Sequence, residues 1–345
     1  MRTRVCVALA VVAALCLGGA TPALAGTGAF MGKWGSIGSA NGQFNAPNEI
    51  AVSPLNGDVY VADSSNHRVQ YFSSTGVFKG KWGSYGTAPG QFWSEMGIAV
   101  AQNGNVYVAD YSNNRVQYFD ADGTLLGTWG SFGTADGEFR YPRGVSVAPN
   151  GDIYVADVSN HRIQVFTAGG VFKSHFGGYG SADGLMSLPL DVDVTPDGLV
   201  YVTDSGNNRV QYFTLDGAFA GKWGSLGSGH GQFSAPTGIA ANPGEGVFVG
   251  DTGNNRVQYF SATGGYRGEW GSFGTADGEF RSPRGLALGN SGSVYVADTN
   301  NTRIQYFETG RIATTPASSS WSLAVLVIAA GMLGLALPRW ARVRA

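Results

Sequence analysis

Six copies of V-x-D-x-x-N-x-R-(V/I)-Q-x-F recur along the chain, with aspartates at Asp63, Asp110, Asp157, Asp204, Asp251 and Asp298, each 47 residues after the last. A period without drift means one supersecondary unit copied in tandem. A unit this short buries little apolar surface alone, so its neighbours must cover it.

Within one period the residues read as four short strands. Gly144–Val147, Ile153–Ala156, Arg162–Phe166 and Val171–Phe176 are β-branched and aromatic, and the segments between them are rich in Gly, Asn and Asp. A Gly-rich link, residues 177–187, leads into the next unit. No apolar stripe of helical period occurs between Phe30 and Glu308, so the chain reads as all-β. Four antiparallel strands per 47 residues, six times over, predict a six-bladed β-propeller.

The phase of the repeat predicts how the ring closes. Trp34, Trp82, Trp129, Trp223 and Trp270 recur in an outer strand, with Phe176 in the fourth slot, and nothing equivalent follows Asp298. Thr27–Trp34 instead matches Thr75–Trp82 almost position by position, so the N-terminal strand is expected to complete blade six. The Asp, Asn and Arg present in every copy read as scaffold, with the arginine returning to the aspartate or reaching a neighbouring blade in a charge-assisted bond. The Trp reads as an apolar plug between blades.

The ends carry different signals. Residues 1–25 read as a signal peptide: Arg2 and Arg4, an apolar run from Val5 to Leu17, and Ala23-Leu24-Ala25 for cleavage. Both cysteines, Cys6 and Cys16, lie in it, which leaves the exported chain without thiol chemistry. After the propeller, residues 26–312, comes a Thr/Ser/Pro/Ala spacer, 313–320. An uncharged apolar stretch, 321–338, follows, and then a basic tail, 339–345, with Arg339, Arg342 and Arg344. The apolar stretch suits a transmembrane or sorting-signal helix with the arginines inside. The expected location is the cell surface, tethered to membrane or envelope. All 24 acids but only 17 of the 22 basic residues lie between the two terminal segments, a net −7. That balance opposes nucleic-acid binding.

The repeated turn, with Asn66-His67-Arg68-Val69 and Asn160-His161-Arg162-Ile163, resembles the NHL repeat family of six-bladed propellers, and the resemblance spans residues 28–310. It implies the fold, and functions that range from protein binding to lyase chemistry.

Candidate functional residues are those where one blade departs from the rest. At the start of each inner strand four blades have Gly97, Gly144, Gly238 and Gly285, whereas blades one and four have Glu49 and Asp191. One residue earlier stand Asn48, Met96, Arg143, Leu190, Thr237 and Arg284. Six-fold geometry sets Glu49 opposite Asp191 and Arg143 opposite Arg284 at the channel mouth. Asp193 replaces the Ala or Ser of other blades. Contact candidates for a protein, peptide or glycan ligand are Glu49, Met96, Arg143, Asp191 and Arg284, with Trp93 and Tyr141 as aromatic anchors. The alternative is a metal-dependent lyase or lactonase, with a cation such as calcium on Glu49, Asp191 and Asp193. His67, His161, His175 and His230 all fall outside the inner strands, which speaks against the three-histidine zinc site that the resemblance brings to mind.

Overall fold

The structure, a computed structural model, describes residues 28–94, 96–243 and 245–310. The segments expected to be signal peptide, spacer, apolar helix and basic tail lie outside them. No helix among the described residues is long and apolar enough to cross a membrane.

Each 47-residue unit forms one four-stranded antiparallel sheet, and six such sheets make the ring. In blade one the strands, from axis to rim, are Pro47–Val52, Val59–Asp63, Arg68–Phe72 and Phe78–Trp82. Inner strands begin two residues earlier than the sequence reading placed them: Pro142–Val147 rather than 144–147. A proline is tolerated at the first position of a strand, where its missing N–H costs no ladder bond.

Blade six takes its three inner strands from Pro283–Leu288, Ser293–Asp298 and Arg303–Glu308, and its outer strand from Phe30–Trp34. The closure is antiparallel, pairing Phe30 with Phe307, Lys33 with Gln305 and Trp34 with Ile304. The Gly28 N–H donates to the Glu308 carbonyl at 2.8 Å, so the two described ends are neighbours. Inner strands start at the interblade links and run away from them. The third strand runs the same way, so residues 28 and 310 both leave from the face opposite the links.

The core sits between blades. Ala51, Tyr60, Ala62 and Val69 of blade one pack with Phe92, Ile98, Val108 and Phe119 of blade two, and an equivalent cluster fills every seam. Trp82 lies across that seam, against Tyr60, Tyr71 and Phe119. Tyr60, Tyr107, Tyr154, Tyr201 and Tyr295 each donate their hydroxyl to a carbonyl of the next blade at 2.8–3.1 Å. Phe248 holds the sixth such position and packs without that bond.

The repeated aspartate organises each link. Asp204 is fully buried; one carboxylate oxygen accepts the Ser187 N–H at 2.7 Å. The other accepts Arg209 Nε at 2.6 Å, Asn207 Nδ2 at 2.9 Å and Gln211 Nε2 at 3.1 Å. The guanidinium then donates to the link carbonyls of Ser181, Ala182 and Leu185. The left-handed turn residue is the one after the Asn (His67, Asn114, His161, Asn208, Asn255 and Thr302 at φ 53–58°).

Candidate functional site

The first residues of the inner strands meet on the axis. Asn48 Oδ1 accepts from Arg143 Nη2 at 3.2 Å and from Arg284 Nη1 at 3.0 Å, so arginines of opposite blades converge on one neutral amide. Asn48 and Arg143 are buried, and Arg284 is half-buried. Met96, expected among the contact residues, is instead core. It is fully buried in the seam between blades one and two, where its apolar side chain packs with Phe92 and Ile98.

The next layer explains why two blades carry an acid where four carry glycine. A Cβ on Gly285 would stand 2.3 Å from Glu49 Oε1, and one on Gly144 2.5 Å from Asp191 Oδ1. Each acid thus occupies a slot that a neighbouring blade leaves by having glycine. From there it reaches across the seam. Asp191 accepts the Val192 N–H and, from blade five, the Ile239 N–H, both at 2.9 Å. Glu49 is held by the N–H groups of Ile50 and, from blade six, Leu286. Asp193 accepts Ser146 Oγ of blade three at 3.1 Å and the Ala241 N–H of blade five at 2.8 Å. These carboxylates work as interblade clamps around an axial cavity of about 210 Å³.

Burial raises all three. Glu49 is pushed up to about 7, partly offset by the nearby Arg143 guanidinium, and Asp193 to about 6. Asp191 is raised well above the usual carboxylate range, by burial first and then by the charge of Glu49. An acid whose folded pKa is raised gives full stability below its unfolded value and loses it as pH climbs through the folded one. For Glu49 that window runs from its ordinary 4.5 to about 7. The melting temperature should therefore fall across this range, and Glu49→Gln should flatten the slope. An unchanged slope in thermal melts from pH 4.5 to 8 would show that Glu49 does not titrate in this way.

The axial carboxylates are largely committed to the protein itself, with Glu49 Oε2 the exception. Both oxygens of Asp191 and of Asp193 already accept N–H or O–H donors, and two guanidiniums share the same axis. Among the described residues no three His, Cys, Asp or Glu side chains form a group able to hold one. The histidines stay apart. Those of His67 and His161 accept link N–H groups through Nδ1, His175 pairs with Asp136, and His230 stacks on Tyr266. Burial lowers the pKa of His67 and His161, which favours the neutral acceptor form.

The link face is open by comparison. A cavity of about 360 Å³ lies between blades six, one and two, walled by Asn48, Ser64, His67, Trp93, Arg284 and Asn300. Trp93 is 44 % exposed and packs edge-on to Tyr85, which also meets His67. Tyr141, 40 % exposed, stacks on Tyr111 across the next seam at 4.9 Å. Sequence reading missed one feature of this face. Three residues after each outer-strand Trp or Phe, every link carries a large apolar residue: Ile37, Tyr85, Phe132, Tyr179, Leu226 and Phe273. All are between 60 % and 75 % exposed. The signal was a strict repeat of apolar residues inside otherwise polar links.

This molecule is a six-bladed propeller with a hydrogen-bonded polar axis and an apolar-studded link face. Four of its blades match the NHL repeat model, at residues 139–166, 186–213, 233–260 and 280–307, and residues 25–134 match an SMP-30/gluconolactonase/LRE-like region. The chain thus carries NHL repeats on a six-bladed propeller. No curated protein matches it in sequence. Solved structures share the fold at low identity. A streptogramin B lyase aligns at 15 % identity over 80 % of this chain and 97 % of its own, with TM-score 0.57. A catalytically inactive virginiamycin B lyase from Staphylococcus aureus, solved with quinupristin, aligns at 17 % over 80 % and 88 %, with TM-score 0.52. A nidogen/laminin complex aligns at 16 % over 67 % and 82 %, with TM-score 0.50.

Proposed function

We propose that this propeller is an interaction module, and that its link face receives a protein or peptide partner. The observation that carries this reading is the contrast between two regions. The axial acids and Arg143 are buried and engaged in interblade bonds, whereas Trp93 stands exposed in the wall of the mouth cavity and Tyr141 stands exposed on the next link. Exposed aromatics on a rigid scaffold are the usual anchors of protein recognition. Arg284, which walls the same cavity, adds a cation beside Trp93. The two terminal segments support export and tethering at the cell surface, by the signal at residues 1–25 and the apolar stretch 321–338. The lyase and lactonase reading has the shared fold behind it, but its candidate ligands Asp191 and Asp193 are engaged in interblade bonds.

The test uses the propeller, residues 26–312, on peptide and glycan arrays, beside a Trp93→Ala/Tyr141→Ala variant. Both side chains lie on the surface, so melting should be unchanged. Peptide hits weakened at least tenfold in the variant are the expected result, since a hot-spot aromatic contributes about 2 kcal/mol or more. Hits that the variant retains in full would overturn the assignment of this face.

A further inference from the structure

Two residues of one polar turn set blade six apart from the other five. Two positions after the repeated aspartate the blades carry Ser65, Ser112, Ser159, Gly206 and Gly253, but the sixth carries Asn300. Four positions after it they carry His67, Asn114, His161, Asn208 and Asn255, but the sixth carries Thr302. Together the two departures write Asn300-Asn301-Thr302. Nowhere else in the chain does Ser or Thr stand two residues after an Asn. Such a triplet, with a middle residue other than proline, is the acceptor pattern for an N-linked glycan.

The fold does not ask for Thr302. In the other five blades the side chain at this position accepts a backbone N–H of the following link. His67 accepts from Ser94 at 3.4 Å and His161 from Leu188 at 3.0 Å. Asn114, Asn208 and Asn255 accept from Tyr141, Ala235 and Ser282 at 2.9 Å. A threonine hydroxyl is too short to copy that bond, and Thr302 donates instead to the adjacent Asn301 carbonyl at 2.8 Å. Its backbone is left-handed, at φ 53° and ψ 41°. Asn tolerates that conformation, whereas a β-branched residue is strained in it. Blade six thus gives up a bond to its neighbour and takes on strain, which is where a functional demand is to be sought.

Asn300 itself is placed to carry a glycan. It is exposed on the link face and lines the mouth cavity that Trp93 and Arg284 also wall. Its Nδ2 has two hydrogens and donates one to Ser282 Oγ at 2.9 Å, so it can lose the other and keep that contact. Blade six is also last in chain order and takes its outer strand from Phe30–Trp34, so its turn is the last to be fixed by ring closure.

We propose that Asn300 is N-glycosylated on the outer side of the membrane. Asn300 Nδ2 bonds to the anomeric carbon of a sugar carried on a polyprenyl diphosphate. The bond from that carbon to the phosphate oxygen breaks, the polyprenyl diphosphate leaves, and Nδ2 gives up one proton to the transferase's base. The proposal rests on export by residues 1–25 and not on what the link face binds. A glycan at this place narrows the approach to the cavity from the side of blade six.

Mass spectrometry of the full chain, purified from the cells that naturally make it, tests this. Peptides containing Asn300 should carry a glycan mass on that residue in most molecules, and the mature chain should begin near residue 26. Thr302→Ser should keep the glycan. Thr302→Asn should lose it entirely while restoring the residue of blades two, four and five. It should melt no lower than Asn300→Gln, which lacks the glycan but keeps the strained threonine, so the loss cannot be put down to misfolding. A bare Asn300 in a chain cleaved near residue 26 would overturn the proposal, and so would a glycan that persists in Thr302→Asn. A bare Asn300 in a chain that retains residues 1–25 would overturn it together with the export reading, with the link-face partner still judged by its own array test.

Discussion

A chain beginning at Gly38 should lose most of its folding stability. It lacks the strand Phe30–Trp34, so blade six would end at Arg303–Glu308 with that strand's ladder open. Trp34 is lost too; it packs against Tyr295 and Tyr306 of blade six and Phe72 of blade one, in the seam that the link after it bridges. Removing a packed Trp side chain alone costs about 3–5 kcal/mol. The strand ladder adds to this, against a total stability of about 5–15 kcal/mol. The truncated chain should therefore melt at a much lower temperature, without a single cooperative transition, and aggregate through the open edge. A synthetic peptide covering residues 26–37 should raise its melting temperature in a concentration-dependent way. Circular dichroism melts that superimpose on those of residues 26–312 would show that the ring does not depend on this closure.

Asp204→Ala should destabilise the ring by about 3–5 kcal/mol, because it strands the buried Arg209 guanidinium without its carboxylate. It also frees the Ser187 N–H, which fixes the link into blade four. At about 2–4 °C per kcal/mol for a domain near this size, the melting temperature should drop by roughly 10 °C. Asp204→Asn keeps the shape and part of the bonding, so its loss should be smaller, and the difference between the two separates charge from geometry. Denaturant midpoints with unchanged slopes provide the measurement. Equal stability of Asp204→Ala and wild type would mean that the aspartate cluster does not hold the links.

The 47-residue period carried most of the architecture, because a repeat imposes its geometry on every copy and leaves only the closure to be found. The match of residues 27–34 to 75–82 supplied that closure. Strand limits were less legible: the strand read as 144–147 begins at Pro142, because the start of a strand accepts a proline. At the axis, the phase of the repeat located Glu49, Asp191, Arg143 and Arg284 but not their bonding. Asn48 was visible only as one of six variable residues, and its role as shared acceptor depends on side chains from blades three and six. The glycine-for-acid exchange is readable only when adjacent blades are compared, since Gly285 makes room for Glu49. Met96 shows the limit of the reading. Its slot belongs to the channel rim in other blades, but an apolar side chain there turns into the seam.

The neighbouring exits of the chain at residues 28 and 310 also set which way a held propeller looks. A tag or surface linker joined at either described end would approach from the rear and leave the face of the links clear.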